Sequence, residues 1–180
     1  MRILKEDTIA LIIDFQEKLM PVMAGAEALE ARTNILIKGL KALDVPMVIT
    51  QQYTKGIGMT IPSFFESAGT EEYFDKITFS CFDDDAIRTA IEASGRKNVI
   101  VCGIESHICV LQTVIDLKAA GHIPVLVADC ISSRKESDKQ VALERARQEG
   151  AIVTTYESLL FELLKVAGTQ ESKMIQKLIR

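Results

Sequence analysis

Six short apolar runs, separated by stretches with the spacing of amphipathic helices, most constrain what this 180-residue chain can fold into. Runs such as Thr8–Ile13 and Asn98–Gly103 show no polar alternation, which is typical of strands buried on both faces of a sheet. Strands that alternate with helices along a chain form parallel sheets. The sequence therefore predicts an α/β fold, with a six-stranded parallel sheet in a three-layer α/β/α arrangement of the Rossmann-like class.

The predicted elements follow one another without a linker or repeat, so residues 1–180 are expected to form a single domain. Strands are predicted at 8–13, 46–50, 73–79, 98–103, 123–128 and 151–154. Helices are predicted at 32–43, 83–94, 106–120, 137–148, 157–166 and 170–179. The segment 51–69 is expected to be irregular, because it holds three glycines and a proline.

Charge and hydropathy limit the partners of the chain. Its net charge is −4 and no block of Lys and Arg stands out, so nucleic acid is not expected as a partner. The first apolar run is too short to span a bilayer, and the N-terminal residues lack the features of a signal peptide, so no membrane contact and a cytoplasmic location are expected. The cysteines contain no C-x-x-C pair and are expected to be free thiols: Cys81, Cys102, Cys109 and Cys130.

Reactive side chains follow the predicted strands where parallel sheets bind their ligands, outside the carboxyl ends. Asp14 directly follows the first strand, Lys76 lies near the third, Cys109 follows the fourth, and Cys130 could approach from the fifth. Cys109 falls in the first turn of a predicted helix, where the helix dipole and a nearby ammonium would favour a thiolate. Asp14 can accept the thiol proton and return it to a leaving amine, and backbone N–H groups of the same turn can hold an oxyanion.

Each of these residues also has a structural interpretation when taken alone. An isolated cysteine on an apolar helix is usually a core residue, an aspartate after a strand often caps the next helix, and a lysine is usually on the surface. His107 precedes Cys109 by two residues, so its side chain should face away, and it is predicted to line the pocket or an interface. Further pocket-lining residues are predicted near the strand ends: Phe15, Gln16 and Tyr53, with Phe64 and Phe65 open to a pocket or an interface.

Several segments in register resemble the isochorismatase-like cysteine hydrolase superfamily, and the resemblance covers nearly the whole chain. They are LIIDFQ at 11–16, DKITFSCF at 75–82, VCGIESHICV at 101–110, and ADCISSR at 128–134 with later matches to residue 158. The tripeptide Glu105–His107 most resembles a subgroup of poorly characterised isochorismatase-domain proteins.

The resemblance implies an Asp–Lys–Cys catalytic triad at Asp14, Lys76 and Cys109. It also implies a cis peptide bond between Ile104 and Glu105, which would direct the Glu105 N–H to the site. This N–H and that of Cys109 would then form the oxyanion hole. Substrates of the superfamily include amides, carbamoyl compounds and the vinyl ether isochorismate, and the resemblance favours a homo-oligomer, a dimer or larger.

The chain also departs from two known branches of that superfamily. Nicotinamidase-like members carry metal-binding residues after the second strand, whereas segment 50–56 holds no histidine, so neither a metal nor a cofactor is expected. The presence of Cys109 argues against isochorismate as the substrate. The sequence thus predicts a metal-independent cysteine hydrolase of a small amide or related C–N bond. The alternatives are a non-catalytic binding or scaffold protein of the same fold, a hydrolase of an isochorismate-like vinyl ether, and a nucleotide-binding protein, for which no glycine fingerprint is present.

Overall fold

A six-stranded sheet runs through the centre of the computed structural model, which describes residues 1–180. The strands are β1 (Thr8–Ile13), β2 (Met47–Gln52), β3 (Phe74–Lys76), β4 (Asn98–Ile104), β5 (Ile123–Ser132) and β6 (Ile152–Thr154). All neighbouring strands pair in parallel, in the order β3-β2-β1-β4-β5-β6. The predicted α/β class and six-stranded parallel sheet are confirmed.

Helices cover both faces of this sheet. They are α1 (Ala26–Ala42), α2 (Thr54–Ile57), α3 (Pro62–Ala68), α4 (Asp85–Ala93), α5 (Leu111–Ala119), α6 (Glu136–Gln148), α7 (Tyr156–Leu164) and α8 (Gln170–Ile179). One core packs α1, α3, α7 and α8 against the sheet, and a second core packs α4, α5 and α6 against its other face. Successive residues of β1 enter opposite cores, Ala10 and Ile12 the first and Leu11 and Ile13 the second, which explains why the strand is apolar throughout. No helix combines the length and the apolar character needed to cross a membrane.

Several segments differ from the sequence-based expectation. Strand β3 is shorter than the predicted 73–79, since only Phe74–Lys76 pairs with β2. Helix α1 begins at Ala26, six residues before the predicted start, because the alanine- and glutamate-rich residues that precede Arg32 also favour a helix. The segment 51–69 contains α2 and α3, and α3 begins at a proline and ends at Gly69 in the left-handed conformation. Strand β5 continues to Ser132, beyond the predicted end at Ala128, past a register shift in its pairing with β4.

The strand order creates a switch point between β1 and β4. From β1 the chain moves outward through β2 and β3, and it then returns to β4 and moves outward on the other side through β5 and β6. The carboxyl ends of β1 and β4 are therefore neighbours, and Ile13 lies in register with Gly103. A crevice at such a switch point is the usual place for a ligand in this class of fold.

Candidate active site

The Asp14 carboxylate lies at the carboxyl end of β1, and both of its oxygens accept hydrogen bonds. Its backbone φ is 56°, a left-handed conformation that turns the chain sharply at the strand end. The Thr50 hydroxyl donates to Oδ1 at 2.8 Å, and the Lys76 ammonium donates to Oδ2 at 2.8 Å. Asp14 and Lys76 are both inaccessible to solvent, so the two charges form a buried ion pair.

The Lys76 ammonium is held by several acceptors. Besides Asp14, the Gln52 Oε1 atom accepts at 2.7 Å, and the backbone carbonyls of Thr78 and Phe79 accept at 3.1 and 3.2 Å. Burial is the largest single effect and lowers the pKa of Lys76, but the charge and hydrogen bond of Asp14, together with the neighbouring Cys81 and Cys109, outweigh it, and the pKa is raised. Lys76 is therefore a fixed cation at neutral pH.

Cys109 lies in a π-helical turn, Ser106–Val110, that leads from β4 into α5. Its side chain is nearly buried, and it interacts with the Asp14 carboxylate and the Lys76 ammonium, so the structure brings the three predicted residues together. Burial and the Asp14 charge raise the pKa of the Cys109 thiol, and the opposing effect of Lys76 is too small to reverse them. The expectation of a thiolate is therefore wrong for the free protein, because desolvation exceeds the stabilisation that the helix start and the lysine supply.

The peptide bond Ile104–Glu105 is cis, and it immediately precedes the turn that carries Cys109. The Glu105 carbonyl accepts from the N–H groups of Ile108 and Val110, at 3.1 and 3.3 Å. The Glu105 carboxylate accepts a hydrogen bond from the Nε atom of Arg134 at 3.0 Å. The turn is thus tied both within itself and to the loop after β5.

The other three cysteines divide between the two sides of the sheet. Cys81 lies next to the site, since its Sγ is 3.8 Å from the Thr50 hydroxyl and its N–H donates to Thr113. Cys102 and Cys130 lie in the opposite core, so the suggestion that Cys130 approaches the site is wrong. Burial raises the pKa of Cys81 and of Cys102 to about 12, and it also raises the pKa of Cys130.

The residues expected to line a pocket have other contacts. Phe15 is a core residue whose ring meets that of Phe64 edge to face at 4.7 Å, so a pocket role for either is not supported. The Gln16 side chain is fully buried, and its amide forms hydrogen bonds with backbone groups of Gln52 and Gly58. The expectation that it lines the substrate pocket is replaced by a structural position, because no donor or acceptor of its amide faces an open space.

The remaining two predicted pocket residues, Tyr53 and His107, are partly exposed to solvent. Tyr53 is half exposed, and its ring covers Gly56, where a Cβ atom would lie 2.3 Å from the ring. His107 contacts Ser133 through Nδ1 at 2.9 Å and faces Asp138 through Nε2 at 3.9 Å. The imidazole is therefore engaged with the loop after β5 and with α6, in agreement with the expectation that it is not the base for Cys109.

Two residues of the site were not anticipated from the sequence, Thr50 and Gln52. Both belong to the end of β2, which pairs with β1 and β3, so their proximity to Asp14 and Lys76 follows from the strand order. A polar residue at the end of an otherwise apolar strand was the available signal.

The neighbouring Gln51 side chain forms hydrogen bonds with Thr60 and Thr54 instead of with the site. No cluster of three or more His, Cys, Asp or Glu side chains suited to a metal occurs in residues 1–180.

Comparison with known proteins places these features in a family context. A model of the isochorismatase domain matches residues 8–158. The secreted isochorismatase effector Isc1 of Phytophthora sojae is 36% identical over 99% of this chain and 87% of that protein. Isochorismatase domain-containing protein 2A of Mus musculus is 34% identical over 99% of this chain and 85% of that protein.

Solved structures share the fold. A structure described as MAR1 ribonuclease from Caenorhabditis elegans has a TM-score of 0.91 and 34% identity, and the match covers 99% of this chain and 92% of that chain. The YcaC gene product of Escherichia coli, described as an octameric hydrolase of unknown specificity, has a TM-score of 0.87 and 21% identity, over 92% of this chain and 83% of that chain. The second likeness concerns the fold alone.

Proposed function

Since this chain belongs to the isochorismatase family and is a hydrolase, we propose that it cleaves a small amide or related C–N bond through a covalent acyl-enzyme on Cys109. The observation that carries the proposal is the buried cluster of Asp14, Lys76 and Cys109 at the switch point of the sheet. A buried carboxylate, a fixed cation and a thiol are the groups that nucleophilic thiol chemistry requires.

In the first step the Cys109 sulfur attacks the substrate carbonyl while Asp14 accepts the thiol proton. Because the resting thiol is neutral, the proton moves as the sulfur–carbon bond forms. The tetrahedral intermediate collapses when the C–N bond breaks, and Asp14 returns the proton to the leaving amine. In the second step water gives a proton to Asp14 and attacks the thioester, which releases the acid and restores the thiol.

Lys76 acts in this scheme as a stationary positive charge. Its three N–H bonds are shared among four acceptors, namely Asp14, Gln52 and the carbonyls of Thr78 and Phe79, so it stabilises the anionic states of the site rather than delivering a proton. The N–H groups of Glu105 and Cys109 serve as the oxyanion hole in this proposal. No step requires a metal or an organic cofactor.

The partners and location of the chain remain part of the proposal. A homo-oligomer is supported by the octameric assembly stated for the E. coli relative and by exposed apolar side chains around the ends of β2 and β3, at Tyr53, Ile77 and Phe79. Four free cysteines are consistent with a reducing, cytoplasmic compartment, although the P. sojae relative is described as secreted. A nucleic acid substrate is disfavoured by the net charge of −4.

A screen of small amides and carbamoyl compounds tests the proposed function, with release of ammonia or amine and intact mass as the two readouts. We expect an acyl adduct on Cys109 in the wild-type protein and a loss of turnover of roughly 10³-fold or more in Cys109→Ala. Cys102→Ala is the matched control, because it removes a buried thiol from the opposite core. Turnover that survives in Cys109→Ala would contradict the mechanism, and release of pyruvate from a vinyl ether would favour the alternative substrate class.

A further inference from the structure

The Gln52 side chain is the one neutral side-chain partner of the Lys76 ammonium. Gln52 is the last residue of β2 and lies in register with Lys76 in β3. Its Oε1 atom accepts from Lys76 Nζ at 2.7 Å, as close as the ammonium is to Asp14. Its Nε2 atom donates to the Ile77 carbonyl at 2.8 Å, which fixes the orientation of the amide, so that the oxygen faces Lys76.

Gln16 holds the backbone of Gln52 from both sides. Its Oε1 atom accepts from the Gln52 N–H at 2.7 Å, and its Nε2 atom donates to the Gln52 carbonyl at 3.0 Å. Gln16 is fully buried, and its own N–H donates to the Asp14 carbonyl at 2.7 Å. Gln16 therefore joins Asp14, which directly follows β1, to Gln52, the last residue of β2, through its backbone N–H and its side-chain amide respectively.

From this geometry we propose that Gln52 is a positioning residue, which holds the Lys76 ammonium against Asp14, and that Gln16 keeps Gln52 in place. A buried ammonium needs acceptors for its three N–H bonds. The two short ones are Asp14 at 2.8 Å and Gln52 at 2.7 Å, whereas the Thr78 and Phe79 carbonyls lie further away, at 3.1 and 3.2 Å. Without the Gln52 oxygen, the ammonium would turn towards the carbonyls of Thr78 and Phe79 and away from the acid–thiol pair. This inference rests on the proposed function, in which Lys76 stabilises the anionic states of the site.

The test uses the full-length protein and acrylamide, a small amide electrophile that can mark Cys109 while the substrate is still unidentified. Adduct formation on each cysteine is followed by mass spectrometry from about pH 7 to about pH 10, to give a pH profile for Cys109. Gln52→Met keeps the length of the side chain and removes the acceptor. We expect Cys109 to react about tenfold more slowly near neutral pH in this variant, with its profile moved to higher pH.

Gln52→Glu supplies the second measurement. It keeps an oxygen against Lys76 but adds a negative charge, so the profile should move to higher pH than in Gln52→Met. Both variants lose the donor to Ile77, and the difference between them therefore reports the acceptor and its charge. Gln176→Met, on the exposed side of α8, is the control and should leave the profile unchanged.

The outcomes separate the inference from the proposed function. If folded Gln52 variants keep the wild-type pH profile, Lys76 is held without Gln52 and the inference is overturned. A purely structural role would lower the melting temperature of both variants while their profiles stayed the same, which would also overturn it. If wild-type Cys109 reacts no faster than Cys81, Cys102 and Cys130 across the whole range, the proposed thiol chemistry itself fails.

Discussion

At the scale of single residues, the Asp14 carboxylate owes its position to one hydroxyl and one ammonium. A carboxylate that is removed from water needs donors of this kind, since an unpaired buried charge is costly. The same burial raises the pKa of the Cys109 thiol, so the thiol keeps its proton at neutral pH. In the proposed mechanism, the Cys109 sulfur attacks the substrate carbonyl while its proton moves to Asp14.

Replacement of Thr50 by valine tests the donor to Asp14. Thr50→Val keeps the shape of the side chain and removes the hydrogen bond to Oδ1, so we expect the free energy of unfolding to fall by about 1–3 kcal/mol. Thr33→Val is the matched control, because the Thr33 hydroxyl is buried without a nitrogen or oxygen partner and faces only the Cys130 thiol. Urea unfolding of both variants checks this, and equal losses would show that the Asp14 contact adds nothing.

At the scale of elements, the close approach of β1 and β4 sets the distance between Asp14 and the Cys109 turn. Gly103 lies directly against Ile13, and a Cβ atom at Gly103 would lie 2.5 Å from the Ile13 Cβ and 2.6 Å from the Ile13 carbonyl oxygen. The glycine therefore allows β1 and β4 to approach closely just before Asp14 at the end of one strand and the Cys109 turn at the end of the other. The turn that follows is π-helical rather than the predicted regular helix, a geometry that is frequent at functional sites.

Gly103→Ala tests this close approach. The added methyl group must push backbone atoms of β1 aside, so we expect a loss of stability of about 3 kcal/mol or more, together with a loss of activity. Gly95→Ala is the control, because that glycine also has a positive φ but has open space around it. Its cost should stay near 1 kcal/mol, the usual strain of a left-handed alanine. Similar urea midpoints for the two variants would argue against a tight β1–β4 contact.

At the scale of the whole molecule, two cores on opposite faces of the sheet enclose all four cysteines. Each thiol has a raised pKa in the folded state, whereas in the unfolded chain it ionises near its ordinary value of 9.0. Above that pH the unfolded chain has lost protons that the folded protein retains, so folding stability declines as the pH rises. The raised pKa of Lys76 acts in the same direction, since the folded protein also holds that proton longer.

We therefore expect the free energy of unfolding to be level up to about pH 8.5 and then to fall by roughly 1.4 kcal/mol per pH unit for each buried thiol. Urea unfolding under reducing conditions, at a series of pH values up to about 11, measures this slope. Cys102→Ala removes one of these thiols, so it should reduce the slope of stability against pH by roughly 1.4 kcal/mol per pH unit, even though it lowers stability at neutral pH. A stability that stays level through this range would show that the thiols are not buried in solution.

The sequence by itself determined which segments form strands, their parallel arrangement, and the edge of the sheet at which Asp14, Lys76 and Cys109 lie. Strand β1 and helix α8 occur where they were predicted, because a continuous apolar run is buried as a central strand and an apolar stripe at helical spacing is buried as one face of a helix. Asp14, Lys76 and Cys109 could be placed at one edge because parallel strands end on the same side. These inferences depend on residues that are close together in the chain.

Only the tertiary structure decided what surrounds those three residues. The neutral state of Cys109 and the contacts of Lys76 with Gln52, Thr78 and Phe79 depend on burial and on charges from segments far apart in sequence. Gln16 is a second example, since its place near the end of the first strand suggested a pocket-lining residue, whereas its amide holds the backbone of Gln52. Desolvation and hydrogen-bond geometry are properties of the assembled neighbourhood, so no pattern along the chain could determine them.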